Sequence, residues 1–184
     1  MTNAYRLETR LAMSALAVFG SLQGVPPRQA TNRCAGQAAC AEVPTFLATV
    51  TEVRAGVGSP RTITLTIRFT NKTPRPLVVG YADASGSATD ERGNRLLVVS
   101  TAVRGIGIIS RSGFDPKLTL QPGESGEAGF EFAAPAGQGG DISGAWDVEF
   151  TVREIDPVAN HQYKLGKEHL LQFRGLRAAG GSPD

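Results

Sequence analysis

Between Thr62 and Thr70 the chain reads Thr-Ile-Thr-Leu-Thr-Ile-Arg-Phe-Thr, with an apolar side chain at every second position. Successive side chains of a β-strand point to opposite faces. Ile63, Leu65, Ile67 and Phe69 therefore define a dry face, and Thr62, Thr64, Thr66, Arg68 and Thr70 a wet one. The threonines suit this role, because branching at Cβ favours the extended backbone. The same period recurs twice more. Trp146, Val148, Phe150 and Val152 alternate with Asp147, Glu149, Thr151 and Arg153, and Ala128, Phe130 and Phe132 alternate with polar or small neighbours. Phe46–Val53, Leu77–Tyr81, Leu96–Ser100, Lys117–Leu120 and Glu168–Gly175 complete a set of about eight strands. Turn signals punctuate them at Gly58-Ser59-Pro60, Asn71-Lys72-Thr73-Pro74, Arg92-Gly93-Asn94, Gln121-Pro122-Gly123-Glu124 and Leu165-Gly166. No helical period follows residue 44, so only a second sheet is available to cover the dry faces. The expected fold is all-β, an immunoglobulin-like two-sheet antiparallel sandwich over residues 44–177, with 178–184 as a flexible tail.

Within that body, Phe69, Asn71, Pro76 and Leu77 mark a strand, its turn and the next strand. Asn94 sits in a second turn, and Leu120, Pro122, Gly123 and Glu124 form a Leu-x-Pro-Gly-Glu turn feeding Phe130, Phe132 and Pro135. This arrangement resembles small bacterial immunoglobulin-like domains of exported proteins and lipoproteins. The resemblance implies an exported accessory or binding domain, and it transfers no catalytic residue.

The first forty residues differ from the body. They hold four basic side chains (Arg6, Arg10, Arg28, Arg33) and one acid (Glu8), a net of +3. Subtracting these from 19 basic and 17 acidic residues leaves 15 and 16, a body of net −1. A nearly neutral body lacks the basic face that phosphate binding needs, which argues against nucleic acid. Residues 1–22 combine a basic start with the apolar run Leu11–Leu22, the pattern of a secretory signal. Leu7, Leu11, Ala15, Val18 and Leu22 equally trace one stripe of a short docking helix. Residues 23–43 read as a linker. It contains both cysteines, Cys34 and Cys40, spaced to close a small disulfide loop in an oxidising compartment; lipidation at Cys40 is the weaker alternative. No apolar run approaches the ~18 residues of a membrane helix, so no span is expected in the body.

The body offers little catalytic chemistry. A blue-copper centre would need methionine and cysteine ligands inside the sandwich, whereas Met1, Met13 and both cysteines precede it. Gly140-Asp141-Ile142-Ser143-Gly144 lacks the spacing of a serine-hydrolase elbow. The histidines, His161 and His169, flank Leu165-Gly166; a two-residue turn there pairs His169 with Gln162 and points the rings to opposite faces, and a three-residue turn sets them diagonally on one face. Without a third and fourth ligand at metal-site spacing, both read as solvated surface groups. No cofactor or metal is expected. Asp83, Asp90 and Glu91 supply loop oxygens, and they anchor the rival reading of a metal-dependent carbohydrate-binding protein or carboxylate-using hydrolase. The stretch Arg104 to Phe114, with Ile106, Ile108 and Arg111, reads either as an apolar binding loop or as a strand whose Ile106 and Ile108 join the core.

The leading expectation is a non-catalytic exported module, periplasmic or extracellular. It would recognise or assemble with a protein at the bacterial cell envelope through the loops 82–95 and 104–114 or through an open strand edge.

Overall fold

In the computed structural model, the described residues are 34, 37, 39–56, 61–135, 144–158 and 162–178. The chain divides into two compact units, Met1–Thr31 and Asn32–Asp184, and every described residue belongs to the second. The signal or docking segment 1–22, most of the linker, His161 and residues 179–184 lie outside the described residues.

Among the described residues twelve strands follow in chain order: β1 (Cys40–Glu42), β2 (Phe46–Ala55), β3 (Thr62–Asn71), β4 (Leu77–Ala82), β5 (Ser87–Asp90), β6 (Arg95–Val98), β7 (Gly107–Ser110), β8 (Gly113–Phe114), β9 (Leu118–Leu120), β10 (Ser125–Ala133), β11 (Ala145–Val158) and β12 (Gln162–Arg177). The one helical element among the described residues is a short 3-10 turn, Ser100–Ala102. The expectation of two separate sheets of about eight strands gives way to one continuous ladder of twelve. Its order is β1-β2-β3-β10-β6-β5-β11-β4-β7-β8, with β12 on β11 and β9 on β4. All pairings are antiparallel except β4 with β7.

Ring contacts show that this ladder folds onto itself. Phe130 of β10 meets Phe150 of β11 at 4.7 Å, although β6 and β5 separate the two strands in the sheet. Tyr81 of β4 also lies 5.5 Å from Phe130. The inward positions of the alternating segments are the core: Ile63, Leu65, Ile67, Phe69, Phe130, Phe132, Phe150 and Val152 are fully buried. Each such side chain contributes roughly 1.5–3 kcal/mol of burial. Tyr81 is equally buried, its hydroxyl accepts the Gly86 N–H at 3.1 Å, and burial pushes its phenol above the usual range.

The motif that carries the sequence resemblance acts as a clasp. Asn71 is 2% exposed. Its Nδ2 donates to the carbonyls of Arg75 (2.7 Å), Leu120 (3.0 Å) and Gln121 (3.1 Å). Its Oδ1 accepts from the backbone N–H and the hydroxyl of Thr73, both at 2.8 Å. One side chain thus joins the turn after β3 to the turn before β10. Glu124 completes the second turn by accepting the Gln121 N–H at 2.6 Å, and Gly123 there has a positive φ of 76°.

Cys40–Glu42, within the segment expected to be linker, forms an edge strand on β2. Cys34 and Cys40 form the expected disulfide, with Cα atoms 5.2 Å apart. Lys72 fastens the other end of β1 through Glu42 and the Val43 carbonyl.

The turn expected at Leu165-Gly166 is not a turn. β12 runs through it, with Ile155 opposite Leu165, Asp156 opposite Lys164 and Pro157 opposite Tyr163. His169 consequently faces Val152 rather than Gln162. Gly166 belongs to a β-bulge, in which Gly166 and Lys167 together oppose Glu154 between the pairs Arg153–Glu168 and Ile155–Leu165. A second bulge sets Arg174 and Gly175 opposite Asp147.

Candidate docking surface

On β4, β7 and β11 the face opposite the main core carries a second apolar cluster of Val78, Ile109 and Ile155. Alternation places Val78 and Gly80 on this face, because Leu77, Val79 and Tyr81 fill the core. Gly80 makes the cluster possible. A Cβ there would lie 2.8 Å from Ile109 and 3.2 Å from Ile155, so the two isoleucines close over β4 in the space that the missing side chain leaves. Half-buried Phe114 packs on the cluster, and the Tyr163 ring stands edge-on to it at 6.5 Å. Tyr163 and Leu165 remain 41% and 37% exposed beside it. The result is a small apolar floor with a partly open aromatic and aliphatic roof, a surface suited to burying a partner's apolar side chains.

The structure brings the two expected contact regions together. Tyr81 opposes Ile108 across the parallel β4–β7 pair, and the Asp83 N–H donates to the Ile109 carbonyl at 2.9 Å. The segment 104–114 is strand rather than flexible loop over β7 and β8, so the loop alternative is set aside. Ile106 is 3% exposed in the main core and Ile108 packs half-buried against it. Neither is an exposed contact, and Ile109, which the sequence reading did not single out, is the residue of this stretch in the outer cluster. Arg104 turns its guanidinium onto the carbonyls of Thr101 (2.7 Å) and Val103 (3.0 Å). Arg111 is exposed on the β7–β8 turn.

The candidate loop carboxylates have structural partners. Asp83 accepts the Ser100 hydroxyl at 2.6 Å. Asp90, 6% exposed, accepts the backbone N–H groups of Arg92 (2.9 Å) and Asn94 (2.8 Å) and the Asn94 side-chain amide (2.8 Å), which shapes the turn between β5 and β6. Glu91 lies 3.5 Å from Arg177. Among the described residues no group of three His, Cys, Asp or Glu side chains is placed to hold a metal ion.

Each bulge of β12 is matched by an acid. At the inner one, His169 is buried rather than solvated: its Nε2 lies 2.6 Å from Glu154 Oε1, which also accepts the Thr45 hydroxyl at 2.8 Å. The imidazole stacks edge-on to Phe46 at 5.4 Å, so this group ties the β11–β12 hairpin to the start of β2. At the outer one, Asp147 accepts the Gly175 N–H at 2.8 Å and Arg174 Nη1 at 2.9 Å. It borders a shallow polar depression of about 250 Å³ with Thr89, Glu149, Gln172 and Arg174. The Gly175 amide, then the Arg174 guanidinium, hold its carboxyl below the usual carboxylate range. A depressed folded-state pKa gives stability that is present above the unfolded-state value and lost as pH falls through the folded one. Asp147→Asn is therefore expected to lower the melting temperature near pH ~7, with an effect that shrinks as pH falls below the usual carboxylate range, read by thermal denaturation across pH.

No protein-family model and no curated protein matches the sequence. Among solved structures, an uncharacterized β-sandwich protein from Clostridium difficile is similar at 11% identity and a TM-score of 0.36, over 72% of this chain and 88% of that one. The GAE domain of GGA2p from Saccharomyces cerevisiae is similar at 15% identity and a TM-score of 0.28, over 74% of this chain and 96% of that one.

Proposed function

We propose that this chain is a non-catalytic exported module, similar in architecture to immunoglobulin-like domains, that recognises or assembles with a protein at the bacterial cell envelope. The observation that carries the reading is the outer cluster of Val78, Ile109 and Ile155 under the half-open roof of Phe114, Tyr163 and Leu165. An apolar face kept on the solvent side of a sheet has a natural use in contact with another macromolecule. The Cys34–Cys40 disulfide supports an oxidising compartment, as does the signal-like leader. The candidate carboxylates are engaged in turn-shaping and surface contacts, which leaves the enzymatic alternative without a supporting observation.

The test places a photo-crosslinking amino acid at position 163 in the native host. The expected result is a discrete adduct with an envelope protein that disappears when Leu165→Asp is added. Labelling no greater than at the exposed Gln121 would overturn the reading.

A further inference from the structure

A different surface carries a more specific assignment. Among the described residues β12 pairs in the ladder with one neighbour only, β11; β1 approaches β12 without pairing to it, so its other backbone edge has no ladder partner. The bulges at Gly166-Lys167 and Arg174-Gly175 break the edge at both ends. Between them Glu168 to Phe173 pairs with β11 without interruption, in a regular six-residue window. Bulges and charged residues blunt edges against indiscriminate pairing, and here they leave Glu168 to Phe173 as the longest uninterrupted window of β12.

The pattern inside that window is self-complementary. The outward row reads Glu168, Leu170, Gln172 and, at the bulge, Arg174. Glu168 and Arg174 are 60% and 65% exposed at their side chains, and Leu170, at 59%, is the most exposed large apolar residue described. Consider an antiparallel copy of the same strand with Leu171 on the two-fold axis. Glu168 then faces the second copy's Arg174 at each end, and the two Leu170 side chains become diagonal neighbours on one face. Such diagonal pairs are ~7–8 Å apart, within reach of long side chains.

We propose that β12 pairs with β12 of a second copy, in this register, to make a two-fold dimer whose sheet runs across both chains. A two-fold contact presents the same patch from both sides, so a charge row that reverses on itself is what it requires. A one-residue shift would set the outward Leu170 against the inward Leu171, and cross-strand partners share a face, so that register is closed to a two-fold pair. The contact does not use Tyr163, Leu165 or Phe114, so it stands or falls independently of the crosslinking test above.

Sedimentation of the full chain at about 100 μM tests it. Wild type is expected to sediment as a dimer. Glu168→Arg and Arg174→Glu, each turning two attractive contacts repulsive, are expected to weaken the dimer at least about tenfold. An equimolar mixture of the two variants restores both ion pairs and is expected to dimerise. Arg174→Glu also disturbs the clasp on Asp147. Leu170→Lys, at an exposed position, therefore provides the independent check: an unchanged circular dichroism spectrum with a monomeric sedimentation coefficient. A monomeric wild type, a dimer that survives Leu170→Lys, or a mixture of well-folded charge variants that stays monomeric would each overturn the assignment.

Discussion

Asn71→Ala is expected to lower the stability of the fold by about 3 kcal/mol, seen as a fall of about 10 °C in melting temperature. The expectation follows from the number of buried groups that one amide serves. Three backbone carbonyls lose their donor, and the Thr73 N–H and hydroxyl lose their acceptor. Leaving a buried polar group without a partner costs about 1–3 kcal/mol, and partial access of water at the turns moderates the sum. Asn71→Asp is the sharper probe. It keeps the acceptor that serves Thr73 but aims a carboxylate oxygen at three carbonyl oxygens. It should therefore be less stable than Asn71→Ala at neutral pH and recover part of the difference in acid. Urea titrations of the three proteins at two pH values measure this. Equal midpoints for wild type and Asn71→Ala would show that the clasp is dispensable.

Gly107→Ala is expected to cost at least about 3 kcal/mol, the scale at which a core clash forces the backbone to move. An added Cβ would lie 1.7 Å from the Asp115 carbonyl oxygen and 2.6 Å from its carbon, and neither is a side chain that can swing away. Gly105, two residues earlier, has a φ of +75° and would place a Cβ 2.1 Å from the Glu127 carbonyl oxygen. These glycines therefore let β7 lie tightly against its neighbours. Since β7 carries Ile109, the same substitution should also loosen the outer cluster. Gly113→Ala is the control: nothing lies within 4 Å of its Cβ position, and its effect should stay within about 0.5 kcal/mol. Urea midpoints of the two variants separate close packing from a general intolerance of alanine in this stretch.

Strict alternation was the most legible signal in the sequence. Thr62–Thr70, Gly126–Phe132 and Trp146–Arg153 all lie in strands with the expected residues inward, because each has one buried and one exposed face. Ser87–Asp90 escaped notice because it is short, small and buried on both sides, so it has no alternation to read. β7 is ambiguous for the related reason that Ile109 packs outward while its neighbours Ile106 and Ile108 turn to the main core. Gly166 misled because a glycine between lysines looks like a turn, yet two glycine-containing bulges opposite Asp147 and Glu154 produce the same local composition. The acids seven positions apart on β11 were the available clue to those bulges. The outer cluster is not legible from any one segment. It joins Val78, Ile109 and Ile155 from three strands and depends on the absence of a side chain at Gly80.

The two bulges also constrain which changes in length the hairpin tolerates. Each inserts one unmatched residue into β12, so the side chains beyond it face as they do only because that residue is present. Removing Gly166 would turn Tyr163 and Leu165 toward the opposite side of the ribbon and bring Lys164 in their place. Insertions at the tip, by contrast, leave the paired positions where they are. Evolutionary drift in the length of this hairpin should accordingly accumulate at its end and spare the run from Gly166 to Gly175.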